Sequence, residues 1–486
     1  MAGRYAARMF RDAPTVEVLT APDAEDRQRR AAGALRAGGC RPGDRVVFCL
    51  PSSADLICAV LGAARLGIIP VLLNATLTEP ERDRLILDAR PAITVLTTRA
   101  LSRLMEGAPT ELSPYPLTRP MHYTSGTTGR PKGVTTGLWD EATARAVFED
   151  EAAVWQFDPA DLHMVCSPMY HTVAVRFSAG TLLSGGSLVI LSRFDATTAV
   201  RVLRQVRPTT AFLVPTHLQR ILQSGALGRD ESFDSLRLLA HAGAPCPPAV
   251  KRATMERVRA GAVWEFYGST EAQFTVCGPD EWLQHPGTVG RARAGRRLFV
   301  EPVGDGGNGS DGADRDAGDA SGHGPVGTIW CDMPPFARFS YWGDEAATAR
   351  SWRGPACTVG DLGSVDGEGY LYLTGRRHDL IISGGVNVYP AEVEAVLAAV
   401  PGVVQLAVFG WADEQWGQRV CVAYVSDRAG TEDALRTLAA AQLAPYKRPK
   451  SYFAVQELPH TATGKVLRRS IPEQVGLTAP KDPEPR

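Results

Sequence analysis

The stretch Tyr123–Val134, YTSGTTGRPKGV, decides how the rest of this chain is interpreted. Four serine and threonine side chains and two glycines precede Lys132, so the loop offers backbone N–H groups, O–H donors and one cation. Such groups suit a polyphosphate, which the loop can surround while the lysine neutralises charge. The loop is not a Walker A motif, because Pro131 stands where that motif has glycine and Gly133 where it has serine or threonine. The alternative is a plain surface turn, and the length of the string argues against it.

Outward from this loop, short apolar runs alternate with helix-forming stretches as far as Gly375. The runs predict buried strands at Arg45–Leu50, Ile69–Leu73, Ile93–Leu96, Ser187–Leu191 and Thr210–Val214, and the stretches predict helices at Leu56–Arg65 and Ala196–Gln205. Alternation of strands and helices indicates an α/β architecture with mostly parallel sheets.

After Gly375 the pattern changes to that of a small α+β unit. It predicts a strand and turn at 379–388, a helix at 390–400, strands at 403–409 and 420–425, and a helix at 431–443. We therefore predict an α/β fold with a large N-terminal domain of several subdomains at 1–376 and a small C-terminal domain at 379–486. A hinge is expected near 376–379.

The overall composition excludes several classes of protein. The 486 residues carry 52 Lys+Arg against 53 Asp+Glu, so no global field attracts nucleic acid or an anionic membrane. Nine scattered cysteines without a Cys-x-x-Cys pair argue against a disulfide framework and a structural zinc site. The most apolar window, Leu56–Asn74, is interrupted by Arg65 and Pro70, so no membrane span is predicted. We expect a cytoplasmic protein, monomeric or homodimeric.

Five further motifs follow the loop in a fixed order. They are His241–Pro245 (HAGAP), Glu265–Glu271 (EFYGSTE), Gly360–Gly363 (GDLG), Gly375–Gly385 (GRRHDLIISGG) and Pro459–Lys465 (PHTATGK). With them the chain resembles the adenylate-forming superfamily of acyl-CoA synthetases, peptide-synthetase adenylation domains and luciferases, from about residue 40 to residue 470. The joint occurrence of these motifs is far more specific than any one of them.

The resemblance implies a site for ATP and Mg²⁺. Its nucleotide-binding residues would be Thr124, Ser125, Gly126, Thr127, Thr128, Lys132, Gly243, Ala244, Pro245, Glu265, Phe266, Tyr267, Gly268, Thr270, Asp361, Arg376 and Lys465. Within this set the 124–132 loop would hold the β- and γ-phosphates, Tyr267 would stack on adenine opposite Gly243–Pro245, and Asp361 would accept hydrogen bonds from the ribose. Glu271 and Thr124 would ligate Mg²⁺.

The resemblance also implies the catalytic residues and a second half-reaction with coenzyme A. Lys465 would bridge the carboxylate and the α-phosphate, with Thr270 and Arg376 contacting the nucleotide. The C-terminal domain would be mobile. It would rotate about His378, so that one face of the domain meets the active site in the first half-reaction and a different face meets it in the second. Ser383, Gly384 and Gly385 are expected to bind coenzyme A, since the glycines let backbone approach a thin pantetheine chain. Lys447 lies in the basic stretch 446–450, which could contact coenzyme A phosphates, and a solvated basic loop is the equal alternative.

The acid pocket is expected at His171 and around the helix that follows it. His171 would lie near the carboxylate of the acid, and a structural histidine is the equal alternative. Thr172, Val175 or Arg176, and Ala179 share one helix face, so the lining is small and apolar with one possible cation, and Gly243 and Gly268 would complete it. Amino-acid-activating relatives usually place an aspartate here, and none occurs between Cys166 and Gly186. This favours an uncharged organic acid of the aryl, alicyclic or medium-chain class.

The sequence therefore predicts an ATP-dependent acid–thiol ligase, an AMP-forming acyl-CoA synthetase that uses ATP, Mg²⁺ and coenzyme A. One alternative is a stand-alone ligase that loads the phosphopantetheine of a carrier protein in trans. A luciferase-like oxidase shares the same motifs. A non-catalytic nucleotide-binding regulator is the alternative from another class, and the presence of Lys465 argues against it, because a pure binder has no need of that residue.

Overall fold

The computed structural model describes residues 14–124, 131–228, 231–302, 324–376, 379, 381–383, 386–388, 390–413, 416–443, 445, 447–460 and 466–477. The strands are β1 (Val16–Leu19), β2 (Arg45–Phe48), β3 (Ile69–Leu72), β4 (Ile93–Val95), β5 (Met121–Thr124), β6 (Lys132–Thr135), β7 (Leu162–Val165), β8 (Ser187–Leu191), β9 (Thr210–Phe212), β10 (Leu238–His241), β11 (Val263–Glu265), β12 (Thr275–Val276), β13 (Arg291–Ala292), β14 (Arg297–Pro302), β15 (Gly327–Asp332), β16 (Ser340–Tyr341), β17 (Trp352–Arg353), β18 (Ala356–Cys357), β19 (Asp361–Val365), β20 (Leu371–Arg376), β21 (Ile381–Ser383), β22 (Val386–Val388), β23 (Val403–Asp413), β24 (Gly417–Ser426) and β25 (Ser451–Ala454).

The helices are α1 (Ala21–Ala37), α2 (Ala54–Arg65), α3 (Glu79–Ala89), α4 (Thr98–Met105), α5 (Glu141–Trp155), α6 (Thr172–Leu183), α7 (Ala196–Gln205), α8 (Pro215–Gln223), α9 (Pro248–Met255), α10 (Pro279–Gln284), α11 (Glu345–Arg350), α12 (Pro390–Leu397), α13 (Thr431–Gln442) and α14 (Ile471–Gln474). Two compact units contain these elements. Unit one comprises Met1–Arg297 and Cys331–Cys357, and unit two comprises Leu298–Trp330 and Thr358–Arg486. The predicted domain limits and the hinge near 376–379 stay a prediction.

Two six-stranded sheets form the frame of unit one. The first has the order β1-β8-β7-β9-β10-β11 and is parallel except for β1. The second has the order β16-β6-β5-β3-β2-β4, with β5, β3, β2 and β4 parallel and β6 and β16 antiparallel. All four residues of β3 are buried, which is the pattern of a parallel strand covered on both faces. The predicted α/β class with mostly parallel sheets is confirmed.

Helix α2 lies inside one of the apolar clusters of unit one. Its residues are apolar apart from Asp55 and Arg65, and all of them except Asp55 are buried, so the helix belongs in an interior and not on a surface. Ser53 caps its first turn by accepting a hydrogen bond from the backbone N–H of Leu56 at 3.2 Å. Helices α1, α2 and α6 share one apolar cluster with strands β2, β3, β7 and β8. This packing fixes α6, the helix predicted to line the acid pocket.

Unit two contains the predicted α+β pattern. Strand β24 pairs antiparallel with both β21 and β23, and it pairs in parallel with β25. Strand β22 is the edge strand and pairs antiparallel with β21. Helices α12 and α13 pack on this sheet through an apolar cluster that includes Val393, Leu397 and Leu435. Strands β19 and β20 also pair antiparallel in this unit, and β19 pairs antiparallel with β15 through Gly363 and Leu362. In the described parts of the chain, every helix is too short or too polar to cross a membrane.

Candidate active site

The two ends of the predicted phosphate loop lie side by side. Strands β5 and β6 are antiparallel, with Thr124 directly opposite Lys132, so the hairpin brings both ends of the loop together. The Thr124 hydroxyl donates to the carbonyl of Lys132 at 3.5 Å. Ser125, Gly126, Thr127 and Thr128 lie outside the described residues.

Lys132 is held close to two residues that come much later in the chain. Its Nζ lies 3.6 Å from the Asp344 carboxylate and 5.1 Å from the centre of the Tyr341 ring. The lysine side chain is mostly buried, whereas Asp344 is more open to solvent. A lysine whose ion-pair partner is open to solvent can exchange that partner for a phosphate at small cost.

Glu271, the predicted Mg²⁺ ligand, is oriented by Tyr341. The Tyr341 hydroxyl donates to Oε1 of Glu271 at 2.9 Å, and Glu271 is buried. Burial, and then the charge of Glu271, raise the pKa of Tyr341, which keeps the phenol a neutral donor. The described residues contain no cluster of three or more His, Cys, Asp or Glu side chains able to hold a metal. One carboxylate together with substrate phosphates is the arrangement in which Mg²⁺ is commonly bound.

Sequence reasoning missed Tyr341, and its role gives a testable prediction. The Tyr341→Phe variant is expected to raise the Mg²⁺ concentration needed for half-maximal activity by about 10-fold, because partners of metal-ligating carboxylates tune metal affinity. The Tyr372→Phe variant is the matched control, since that hydroxyl bonds to Asp366 in unit two at 3.2 Å. An unchanged Mg²⁺ titration for Tyr341→Phe would show that this hydrogen bond does not act on the metal.

The predicted adenine-binding segment follows β11 in unit one. Tyr267 is 7% exposed, and its ring centre lies 5.4 Å from that of Phe274. Its backbone N–H donates to the Thr275 hydroxyl at 3.1 Å. Gly268 must be a glycine, because a Cβ there would lie 2.5 Å from the carbonyl oxygen of Ala272. The segment is therefore fixed tightly by its own backbone.

Glu265 has a structural partner inside unit one. Its Oε2 lies 2.6 Å from Nζ of Lys251, and both side chains are buried. Burial, only partly offset by Lys251, raises the pKa of Glu265. This ion pair joins α9 to β11 and supports the base of the segment that carries Phe266 and Tyr267. Glu265 is thus placed to hold the segment in position.

A cavity of about 100 Å³ lies in unit one beside α6. The predicted pocket residues Thr172 and Val175 line it together with Arg176 and Ala179, as the helical spacing indicated. Its other walls come from α2, α5 and the strand pair β5–β6, and they include Leu61, Trp139 and Phe148. Thr270 and Glu271 also line this cavity. His171, Gly243 and Gly268 are not among its lining residues.

The cation predicted on α6 is already paired. The Nε atom of Arg176 lies 3.0 Å from Oε2 of Glu151, whose Oε1 accepts a hydrogen bond from Arg293 at 2.9 Å. Burial alone would raise the pKa of Glu151, but Arg176, Arg293 and Arg119 outweigh it and lower the pKa to about 2. Glu151 is therefore ionised and neutralises Arg176, which leaves the α6 wall suited to an uncharged chain.

Unit two holds the predicted residues from Asp361 onwards. Asp361 and Arg376 are opposite each other on the antiparallel strands β19 and β20, although the side chain of Arg376 is not described. Ser383 ends β21 and is fully buried. Lys447 is half-buried, and His378, Gly384, Gly385 and Lys465 lie outside the described residues. The roles given to these residues stay predictions.

The sequence and the fold of this chain are similar to those of characterised proteins. The family model described as AMP-binding enzyme matches residues 4–115 and 120–313, and the model for the AMP-binding enzyme C-terminal domain matches residues 392–465. The long-chain-fatty-acid–CoA ligase FadD13 of Mycobacterium tuberculosis is 29% identical over 93% of this chain and 92% of its own length. The feruloyl-CoA synthase of an Amycolatopsis species is 32% identical over 94% of both chains.

A carrier-protein ligase and a solved structure are also similar. The fatty acid–[acyl-carrier-protein] ligase ScoC of Streptomyces coeruleorubidus is 30% identical over 93% of this chain and 91% of its own. The crystal structure of ATP-bound MatB from Rhodopseudomonas palustris matches with a TM-score of 0.80 and 28% identity, over 96% of this chain and 98% of that one. The likeness in sequence and in fold extends over nearly the whole length of these proteins.

Proposed function

The chain belongs to the AMP-binding enzyme family of the adenylate-forming superfamily, and on this premise we propose that it is an acyl-CoA synthetase for an uncharged organic acid. The acid would be of the aryl, alicyclic or medium-chain class. In the first half-reaction a carboxylate oxygen bonds to the α-phosphorus of ATP and the bond to the bridging oxygen breaks, which releases pyrophosphate. In the second, the coenzyme A sulfur bonds to the acyl carbon, AMP leaves, and the thiol proton goes to solvent.

One observation carries the proposal. The cavity beside α6 is lined by apolar side chains such as Val175 and also by Thr270 and Glu271, the residues assigned to the α-phosphate and Mg²⁺. An acid in this cavity would present its carboxylate where the α-phosphate is expected. The reactants are both anionic, so the site has to supply positive charge and hydrogen-bond donors at that point.

The chain's own residues can supply these groups. Lys132 lies at the end of the phosphate loop, and Thr270 offers a hydroxyl beside the cavity. Tyr341 fixes one oxygen of Glu271, which leaves the other oxygen for Mg²⁺. When bound, Mg²⁺ would neutralise charge on the phosphates. Lys465 remains the residue proposed to bridge carboxylate and α-phosphate, with Arg376 on the nucleotide.

The acceptor is proposed to be free coenzyme A. The names of FadD13 and feruloyl-CoA synthase support this, as does the sequence Ser383-Gly384-Gly385. We expect the enzyme to act in the cytoplasm, where both ATP and coenzyme A are available. A carrier protein acting in trans is the second candidate, and the similarity to ScoC favours it.

The two acceptors can be separated by one experiment. The purified protein is incubated with ATP, Mg²⁺ and a panel of carboxylic acids, with coenzyme A in one series and a phosphopantetheine-loaded carrier protein in another. We expect acyl-CoA, identified by mass, together with one AMP per thioester. Pyrophosphate release without acyl-CoA, combined with acylation of the carrier, would favour the second candidate and contradict the first.

A further inference from the structure

Two residues directly behind the ends of the phosphate loop are held from outside the hairpin. Tyr123 on β5 and Gly133 on β6 are register partners. Tyr123 is followed by Thr124, where the loop begins, and Gly133 is preceded by Lys132, where it ends. A contact that fixes this pair therefore also fixes the point from which Lys132 reaches a phosphate. Both members of the pair are connected to one residue of another element, Asp88 in the last turn of α3.

The first connection is a side-chain hydrogen bond from the β5 arm. The Tyr123 hydroxyl donates to Oδ2 of Asp88 at 2.7 Å. Both residues are half-buried, and Tyr123 packs in the same apolar cluster as Leu85 and Ile86 of α3. A hydrogen bond to a carboxylate is among the stronger kinds, and partial burial reduces the competition from water.

The second connection reaches the β6 arm through Trp342, which follows β16. The indole N–H of Trp342 donates to the carbonyl oxygen of Asp88 at 2.9 Å, and its backbone N–H donates to the carbonyl oxygen of Gly133 at 2.7 Å. Gly133 permits this approach, because a Cβ there would lie 2.7 Å from the Met121 methyl group and 3.3 Å from Cβ of Trp342. Both arms of the hairpin are thus connected to the same turn of α3.

Arg45 on β2 fixes the end of α3. A helix leaves its last carbonyl groups without partners inside the helix. The Arg45 guanidinium donates to the carbonyl oxygens of Ala89 at 2.6 Å and Arg90 at 3.2 Å, and it lies 4.1 Å from the centre of the Trp342 ring. With the indole of Trp342 on Asp88, three successive carbonyl groups accept hydrogen bonds at this end. The last turn of α3 is therefore a fixed point for the hairpin.

We propose that Asp88 is a positioning residue for the triphosphate of ATP. By holding both arms of the hairpin, it sets the place of Lys132 relative to the β- and γ-phosphates. This deepens the proposed function and rests on it, since the phosphates must bind at the hairpin. AMP and the acyl-adenylate have no β- or γ-phosphate. Asp88 therefore acts on ATP binding and on the departure of pyrophosphate, and it has no part in the second half-reaction.

The test compares the binding of ATP and AMP to the full-length enzyme. Tyr123→Phe removes one hydrogen bond and keeps the aromatic ring in its apolar cluster. We expect the Kd for ATP with Mg²⁺ to rise about 10-fold and the Kd for AMP to change by less than about 2-fold, since only the phosphate hairpin loses a bond to a charged group. Asp88→Ala should give the same pattern. Asp88→Asn, whose amide oxygen still accepts from Tyr123, should bind ATP within about 3-fold of the wild type.

The same variants should separate the two half-reactions. In Tyr123→Phe, kcat/KM for ATP in pyrophosphate release should fall by roughly 10-fold or more, because the leaving group is less well oriented. Formation of acyl-CoA from supplied acyl-adenylate should keep the wild-type rate. Tyr372→Phe is the matched control, because that hydroxyl also bonds to an aspartate, Asp366 in unit two, at 3.2 Å. It should leave all of these values unchanged.

A loss of folded protein lowers the number of binding sites and leaves both dissociation constants as they are, so it does not produce the expected pattern. Unchanged ATP affinity in Tyr123→Phe, or equal losses of ATP and AMP affinity, would overturn the proposal. In either case a wild type that still activates acids keeps the ligase function. A wild type that binds ATP but releases no pyrophosphate with any acid would overturn the proposed function, and the comparison of ATP with AMP would still decide the role of Asp88. Binding of neither nucleotide would overturn both.

Discussion

The Lys465→Ala variant is expected to lose acyl-adenylate formation by about 100- to 1,000-fold while it still forms acyl-CoA from supplied acyl-adenylate at nearly the wild-type rate. The ammonium would stabilise charge that develops only as the carboxylate attacks the α-phosphorus, so its removal raises the barrier of that step. The thioester step starts from a bond that already exists and would use another face of the C-terminal domain. The two half-reactions should therefore separate in this variant.

The measurement uses single-turnover release of pyrophosphate for the first step and acyl-CoA formation from synthetic acyl-adenylate for the second. Arg436→Ala is the matched control, because that exposed cation pairs with Glu432 one turn away on α13. It should leave both steps unchanged. If Lys465→Ala slowed both half-reactions equally, the role assigned to Lys465 would be wrong.

The Glu151→Gln variant should lower the free energy of unfolding by about 3–5 kcal/mol, the largest stability effect we expect from a single side chain. Its carboxylate is shared by Arg176 at 3.0 Å and Arg293 at 2.9 Å, and it also accepts from the indole of Trp155 at 3.2 Å. Removing the charge leaves two buried guanidinium groups without their common partner. Glutamine keeps the volume, so the change is electrostatic and does not create a cavity.

The pH dependence gives the same interaction a second test. The pKa of Glu151 in the folded protein is about 2, against an ordinary value of 4.5, so its carboxylate stabilises the fold above pH 4.5. That contribution is lost as the pH falls towards about 2, where the folded protein also binds the proton. The difference in unfolding free energy between the wild type and Glu151→Gln should therefore shrink below pH 4.5.

Denaturant unfolding at several pH values measures both effects. Glu149→Gln is the matched control, because Glu149 is exposed on the same helix, and it should change stability by less than about 0.5 kcal/mol. A loss below 1 kcal/mol for Glu151→Gln, or a loss that does not change with pH, would contradict the account of this network.

Much of the fold was predictable because local signals agree with the global packing. Helix α7 begins and ends at the predicted residues. Asp195 fixes its start, because its carboxylate accepts a hydrogen bond from the backbone N–H of Thr198 at 2.8 Å. Strand β8 matches its predicted limits because a buried parallel strand is a continuous apolar run. The superfamily and the enzyme class were predicted from ordered motifs and are confirmed by the relatives.

The details of the site could not be predicted, because they join residues far apart in the sequence. Tyr341 meets Glu271 across 70 positions, and Arg293 meets Glu151 across 142. The helix periodicity placed Arg176 in the pocket, but only the fold shows that Glu151 has already neutralised it. His122 also lines the cavity beside α6, and nothing in the local sequence indicates this.

The most direct test of the central claim is isotope exchange between pyrophosphate and ATP in the absence of coenzyme A. Exchange occurs only if the enzyme forms an acyl-adenylate reversibly, so it isolates the first half-reaction. We predict that this exchange requires Mg²⁺ and a carboxylic acid with no charged group besides the reacting carboxylate. It should proceed without coenzyme A and should disappear in Lys465→Ala. Measurable ATP binding without exchange for any acid of the panel would contradict the account and would favour a nucleotide-binding regulator.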